Sequence, residues 1–188
     1  AKAEGEMTQT IQQVYLASAK ETVHPPAEKE AIAFAYGERP VPAAAEAKVT
    51  HVDDLDIYQV DYSNGVRLNL KRTEVKKNAI QIAIRFGHGR STEPADKPGL
   101  AMLANQIVTQ GGLKAHSADE LRRILAGHSV GVSFQVRDET FLLQASTVPQ
   151  DLELTCQVLR AGLLEPGFRE EAYRLARKRS EALYKQLT

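Results

Sequence analysis

The 188-residue chain is 43% hydrophobic and 26% charged, the balance of an ordinary globular protein. Its 24 basic and 24 acidic residues give a formal net charge of +0, so no overall field draws it to nucleic acid. No run of about 18 apolar residues and no signal-peptide pattern is visible, and the single cysteine, Cys156, excludes an internal disulfide and a cysteine-based zinc site.

The first 55 residues are predicted to hold one helix and an arm. The helix is indicated within MTQTIQQVYLASA by the helical spacing of its apolar residues, namely Ile11, Val14, Tyr15 and Ala19. Residues 21–50 are rich in proline, alanine and charge without strand or helix periodicity, which is typical of an extended linker. Its hydrophobic residues Ile32, Phe34 and Tyr36 are expected to pack on the chain's own domain rather than on a partner.

Three strands are predicted after this arm. The segment Ser63-Asn64-Gly65 joins two runs of strand residues, IYQVDY and VRLNLKR, which predicts a β-hairpin because Asn-Gly supplies the positive φ angles of a tight turn. The third run, NAIQIAIRFG, alternates strictly between apolar and other residues, with one face formed by Ile80, Ile82, Ile84 and Phe86. This alternation predicts strands that bury one face.

The stretch KPGLAMLANQIVTQGG predicts a buried helix over residues 98–110. Its apolar residues recur at helical spacing and are expected to face the core, namely Leu100, Leu103, Ala104, Ile107 and Val108. A capping box, Ser117 to Glu120, then predicts the start of a second helix within ADELRRILAG.

Two further strands and two helices complete the predicted elements. The strands are indicated by HSVGVSFQVR and TFLLQASTV, and the helices by QDLELTCQVLRAGLL and FREEAYRLARKRSEALYKQL. The apolar stripe of the first of these helices consists of Leu152, Leu154, Val158, Leu159 and Leu163. From residue 56 the order is β-β-β-α-α-β-β-α-α, which predicts an α+β fold with a mostly antiparallel sheet and helices packed on one face.

Several strings in this order resemble the insulinase, pitrilysin and mitochondrial-processing-peptidase family of zinc metallopeptidases. They are the hairpin SNGVRLNL and the strand, loop and helix start AIQIAIRFGHGRSTEPADKPGLA. The resemblance covers residues 56–188 and implies the fold of that family. It further implies that residues 1–55 are a helix and linker arm from a preceding domain. Residues 56–188 would be an inactive peptidase-like domain, truncated at its C-terminus, from a bacterial two-domain member.

Active members of the family carry His-x-x-Glu-His directly after Gly-Leu-Ala, with two histidines on zinc and the glutamate as general base. In this chain Met102, Asn105 and Gln106 occupy those three positions. A thioether and an amide are poor zinc ligands, and asparagine has no basic group that takes a proton from water. The resemblance therefore predicts no catalytic residue and no metal ligand at these degenerate positions.

The family's third zinc ligand is a glutamate on the last helix. Spacing alone reaches Glu181, whereas matching Phe168 and Tyr173 to the family's aromatic pair reaches Ala182 or Leu183. We expect Glu181 to be a solvated residue on a face of mixed charge, together with Glu170, Glu171, Arg174, Arg177, Lys178 and Arg179. A patch for an anionic partner is the less favoured interpretation of these basic residues.

The resemblance implies a non-catalytic half of a zinc metalloendopeptidase. Such a half closes the chamber and helps to bind a peptide or an unfolded protein. The zinc is then held by an active homologous domain, in the same polypeptide or in a partner chain, and this chain needs no cofactor of its own. Relatives of this type imply a periplasmic or otherwise extracytoplasmic location.

Two other functions remain open from the sequence. One is a stand-alone protein-interaction module of the same fold. The other is a metallopeptidase with an unorthodox zinc site built from His88, His116 and His128. Because these histidines are dispersed along the chain, surface or capping positions are the more ordinary expectation for each of them.

Overall fold

The computed structural model describes residues 2–20, 32–37 and 46–187. The chain divides into two compact units, Ala1–Ala31 and Ile32–Thr188. In the first unit the predicted N-terminal helix is present as α1, Lys2–Ser18, and its side chains from Thr10 onwards are exposed. No helix in the described part of the chain combines the length and apolarity needed to cross a membrane.

The second unit holds six strands and four helices in its described part. The strands are β1 (Ala47–Val52), β2 (Ile57–Tyr62), β3 (Arg67–Leu70), β4 (Ile80–Phe86), β5 (Gly131–Val136) and β6 (Phe141–Thr147). The helices are α2 (Leu100–Gln110), α3 (Ala118–Ile124), α4 (Leu152–Leu164) and α5 (Glu170–Leu187). All the strand pairings are antiparallel, so the predicted α+β class with antiparallel strands is confirmed.

The strands form two three-stranded sheets, with the orders β1-β2-β3 and β4-β6-β5. The β2–β3 hairpin turns at Asn64-Gly65, as predicted. Only Gly65 has a positive φ, of 85°, the left-handed conformation that glycine adopts without strain, so the expected positive φ angle is confirmed for Gly65 and not for Asn64. Between β3 and β4 lies the exposed, charged segment of residues 71–78, which separates the two sheets in the chain.

Strand β1 lies inside the stretch that the sequence assigned to the linker arm. It pairs along its whole length with β2, from Ala47 opposite Tyr62 to Val52 opposite Ile57. Five of its six residues are exposed, so no strong hydrophobic alternation marks it in the sequence. Pairing with β2 supplies the backbone hydrogen bonds that make this weakly patterned segment a strand.

A short segment before β1, residues 32–37, is called the strap here. Its Tyr36 is only 3% exposed and packs with Leu113 and Ala161, while Phe34 lies against the same cluster. The prediction that the hydrophobic residues of the arm pack on their own domain is therefore confirmed for Phe34 and Tyr36.

The main core lies where α4 covers the β4–β6–β5 sheet. Leu143 and Ala145 of β6 pack against Leu159 of α4, flanked by partly buried residues of the neighbouring strands, namely Ile82, Ile84, Val132 and Phe134. The predicted stripe of α4 is correct at Val158 and Leu159, which are buried, but Leu152 and Leu163 are exposed.

Thr155 is the most deeply buried side chain described, with 0% exposure, although the sequence pattern did not place it inward. Its hydroxyl lies 2.8 Å from the hydroxyl of Thr147 on β6 and 2.8 Å from the carbonyl oxygen of Asp151. A hydroxyl that is hydrogen-bonded in this way can be buried without a large desolvation penalty. Thr155 thus joins α4 to the sheet through a polar contact that no hydrophobic pattern reveals.

The substitution Thr155→Val is expected to lower the free energy of unfolding by about 1–2 kcal/mol, because the hydroxyl of buried Thr147 loses its partner on α4 and keeps only the longer contact of 3.4 Å with the carbonyl oxygen of Val148. Chemical denaturation followed by circular dichroism measures this loss. The matched control is Thr109→Val on the exposed side of α2, for which the change is expected to stay within about 0.5 kcal/mol. An equal loss in both variants would contradict the assigned role of Thr155.

Candidate functional site

Helix α2 carries the three degenerate positions, and its start is fixed by the preceding loop. Gly99 precedes the helix with a φ of 92° and offers no side chain for capping. Instead, the carboxylate of Glu93 accepts a hydrogen bond of 3.1 Å from the backbone N–H of Ala101. A carboxylate at a helix N-terminus satisfies a free N–H and interacts favourably with the helix dipole. Glu93 of the Glu-Pro string therefore sets where α2 begins.

The C-terminal end of α2 is held by Arg169, which lies just before α5. Its guanidinium donates to the carbonyl oxygens of Gly111 at 2.5 Å, Leu113 at 2.7 Å and Lys114 at 3.2 Å. The last turn of α2 has no basic residue of its own, so Arg169 supplies the positive charge that a helix C-terminus favours. The same contacts fix the start of α5 beside the end of α2.

The predicted burial of α2 is only partly correct. No residue of the helix is fully buried, and Leu100 is exposed, whereas Leu103, Ala104, Ile107 and Val108 are partly buried. The helix lies at the surface and is covered on two sides, by β5 and by α5, which explains why its apolar stripe is not enclosed.

Each of the three degenerate positions has its own surroundings. Met102 is 49% exposed. Asn105 accepts a hydrogen bond of 2.5 Å from the backbone N–H of Val136, the last residue of β5. Gln106 donates to the hydroxyl of Ser180 on α5 at 3.4 Å. Two of the three side chains thus connect α2 to neighbouring elements.

The structure brings Ser180, rather than the residues suggested by spacing or by aromatic matching, to the side chain of Gln106. Glu181 is 58% exposed and forms an ion pair with Arg177, one turn earlier, at 2.8 Å. Ala182 and Leu183 are also exposed. Sequence reasoning missed Ser180 because neighbouring positions on a helix face different directions, and only the packing of α2 on α5 selects among them.

These residues do not suit a zinc ion. Zinc in proteins is held by thiolate, imidazole and carboxylate groups, and none of Met102, Asn105, Gln106 and Ser180 supplies one. Across the ranges that the structure describes, no group of three or more histidine, cysteine, aspartate or glutamate side chains could hold a metal ion.

The dispersed histidines also lie in separate environments. His88 is exposed at the end of β4. His116 is 5% exposed, and its Nε2 accepts a hydrogen bond of 2.9 Å from the backbone N–H of Ala35. His128 contacts the carboxylate of Asp151 through Nδ1 at 2.7 Å. The structure does not assemble His88, His116 and His128 into the unorthodox site considered from the sequence.

The contact of His128 with Asp151 makes part of the stability dependent on pH. The ring of His128 and, secondarily, the backbone N–H of Ser129 hold the pKa of Asp151 below its ordinary value of 3.8. A carboxylate with a lowered pKa in the folded state stabilises the fold above 3.8, and this contribution is lost as the pH falls through the lowered pKa.

The variant Asp151→Asn is therefore expected to be less stable than the parent chain at neutral pH, with a difference that shrinks as the pH falls below 3.8. Urea denaturation over a pH series measures this difference. The control is Asp138→Asn, which removes a 90% exposed carboxylate at the β5–β6 turn. Its stability difference from the parent chain is expected to show no comparable dependence on pH. A difference for Asp151→Asn that is constant with pH would contradict the assignment.

A cleft of about 1290 Å³ lies between the helices and the β4–β6–β5 sheet. Its walls are mainly apolar, and they include Val108, Leu121, Val132, Phe134 and Leu175. Helix α2 lines it with Ala104 and Val108, whereas Met102, Asn105 and Gln106 do not contribute. Thr109 and Gln110 also line the cleft and lie one helical turn after Asn105 and Gln106, so the degenerate positions border the cleft without lining it.

Comparison with known proteins finds relatives of the chain, while no family model matches it. The chain is 22% identical over 142 residues to the chloroplastic stromal processing peptidase of Arabidopsis thaliana, covering 74% of this chain and 11% of that protein. The periplasmic protease PqqL from Escherichia coli has a TM-score of 0.69 and 21% identity. The ferredoxin protease FusC, solved as a mutant in complex with Arabidopsis ferredoxin, has a TM-score of 0.61 and 20% identity.

These relatives confirm the resemblance to the insulinase, pitrilysin and processing-peptidase family and to its fold. Both solved structures cover 91% of this chain, yet the chain spans only 21% of PqqL and 20% of FusC. The chain therefore corresponds to a small part of each relative, and it has the fold of a domain from a zinc-peptidase family.

Proposed function

We propose that this chain is part of the non-catalytic half of a zinc metalloendopeptidase. The proposal is carried by one observation, the hydrogen bonds made from the degenerate positions of α2. Asn105 binds the end of β5 and Gln106 binds α5, so the polar side chains of this helix hold neighbouring elements together. Neither side chain can transfer a proton to or from water near neutral pH.

In this proposal the chain serves substrate binding rather than chemistry. It closes a chamber over a peptide or an unfolded protein, while an active homologous domain, in the same polypeptide or in a partner chain, holds the zinc. The relative FusC, which is described in complex with ferredoxin, supports a protein as substrate. The periplasmic relative PqqL supports a periplasmic or otherwise extracytoplasmic location.

The test is made on the purified 188-residue chain, dialysed against excess zinc and then washed. We expect no stoichiometric zinc by elemental analysis and no cleavage of a fluorescently labelled unfolded casein. Fluorescence anisotropy with the same casein is expected to show binding without cleavage. One zinc ion per chain together with cleavage would overturn the proposal, whereas absence of both cleavage and binding would favour the interaction module.

A further inference from the structure

The strap, residues 32–37, is fastened to the domain by a histidine that acts as a hydrogen-bond acceptor. The backbone N–H of Ala35 donates to Nε2 of His116 at 2.9 Å, across 81 positions of sequence. Nε2 can accept this bond only when it carries no proton, so the docked strap requires the neutral tautomer with the proton on Nδ1.

Four further contacts make this attachment specific. The hydroxyl of Tyr36 accepts a hydrogen bond of 2.9 Å from the backbone N–H of Ala115, and Gln157 of α4 donates to the carbonyl oxygen of Gly37 at 3.1 Å. The ring of Phe34 stacks on the imidazole of His116 at a centroid distance of 5.8 Å, and the ring of Tyr36 meets the imidazole edge-on at 5.9 Å. His116 is thus enclosed between the two aromatic residues of the strap.

We propose that His116 and the strap form an acid-sensitive latch, in which protonation of His116 Nε2 releases residues 32–37 from the domain. A proton on Nε2 would place a donor against the Ala35 N–H, so the hydrogen bond is lost and two donors face each other. Because His116 is only 5% exposed, solvent cannot satisfy the new N–H while the strap stays in place. Docking of the strap and protonation of Nε2 are therefore mutually exclusive.

The surrounding charges do not remove this conflict. Among the titratable groups near His116 are Glu120 of the capping box, Tyr36 of the strap and Lys114 of the same loop, and Arg160 of α4 lines a small cavity with Tyr36. Glu120 and the ring of Phe34 would favour a positive imidazole, but the Glu120 carboxylate is already bonded to the N–H and hydroxyl of Ser117. Neither group provides an acceptor in the position taken by Ala35.

The consequence of release is local to the start of the domain. The strap precedes β1, and docking ties the chain to the loop between α2 and α3 and to α4. This latch does not depend on whether the domain binds zinc or substrate.

The test is hydrogen exchange with mass spectrometry on the full 188-residue chain at pH 7.5 and pH 5, corrected for intrinsic exchange. The informative amides are Ala35, Gly37 and Ala115, which the docked strap engages or encloses. At pH 5 we expect their protection in the parent chain to fall at least about tenfold, with the amides of β6 unchanged as an internal control of folding. Equal protection at both pH values would overturn the proposal.

Two substitutions separate the latch from general acid sensitivity. His116→Gln keeps an acceptor but cannot titrate, so its strap protection is expected to be the same at both pH values. His116→Phe keeps an aromatic ring and removes the hydrogen-bond acceptor. The strap amides of this variant are therefore expected to exchange rapidly at both pH values. The matched control is His88→Gln at an exposed histidine, for which the loss of strap protection between pH 7.5 and pH 5 is expected to equal that of the parent chain. A fall in strap protection for His116→Gln as large as that of the parent would contradict the latch.

Discussion

A fourfold variant, M102H/N105E/Q106H/S180E, is expected to bind one zinc ion tightly where the parent chain binds none stoichiometrically. Positions 102 and 106 are separated by one helical turn and lie on the same face of α2, which is the spacing that two zinc-binding histidines need on a helix. Gln106 and Ser180 are already within 3.4 Å of each other, so a glutamate at 180 reaches the same place from α5. We expect each of the three new ligands to raise the zinc affinity by about tenfold, or about 1.4 kcal/mol. Together they would raise it by about a thousandfold relative to the parent chain.

Competition with a chromophoric zinc chelator, together with elemental analysis, measures this gain. The control variant M102H/N105E/Q106H lacks only the change at Ser180 and is expected to bind zinc at least about tenfold more weakly. Asn105→Glu retains an oxygen acceptor for the Val136 N–H, so the contact between α2 and β5 is expected to survive. Equal zinc affinity in the two variants, both folded by circular dichroism, would show that Ser180 does not mark the place of the third ligand.

Gly89→Ala is expected to destabilise the fold by about 4 kcal/mol or more, or to prevent folding. Gly89 is buried in the loop after β4 and has a φ of 57°. A Cβ at this position would lie 2.1 Å from the carbonyl oxygen of Arg137 and 2.5 Å from the backbone nitrogen of Thr140. Both atoms belong to the backbone of the β5–β6 turn, so no side-chain rotation can relieve the overlap. Thermal and chemical denaturation measure the loss.

The matched control for this prediction is Gly127→Ala. Gly127 also has a positive φ, 89°, but a Cβ there would meet nothing within 4 Å. Gly127→Ala is therefore expected to lower the free energy of unfolding only by the backbone strain of the positive φ, about 1 kcal/mol. If the two variants lose the same free energy of unfolding, the close approach at Gly89 is not the cause.

The features that the sequence predicted best are those determined by residues close together in the chain. The Asn64-Gly65 hairpin and the capping box of Ser117 and Glu120 are both present, the second with the Glu120 N–H bonded to the Ser117 hydroxyl at 3.2 Å. In each case the residues that define the motif are also the residues that make its hydrogen bonds. Local chemistry therefore determines the local structure.

The features that sequence missed depend on partners far away in the chain. Strand β1 exists because β2 is available to pair with it, and Thr155 is buried because Thr147 supplies a polar partner. The meeting of Gln106 and Ser180 depends on how α2 packs on α5, which periodicity does not determine. The degenerate positions could be found from their place after Gly-Leu-Ala, but the hydrogen bonds that two of them make could not.

The attachment of the strap also limits the order in which parts of this chain can fold during synthesis on the ribosome. Tyr36 is synthesised before the residues of its pocket, Leu113, His116 and Ala161. Until Ala161 has left the exit tunnel, the two aromatic side chains of the strap have no native surface to cover them. During synthesis they form an exposed hydrophobic segment of the kind that chaperones recognise, and closure of the strap is a late step of folding.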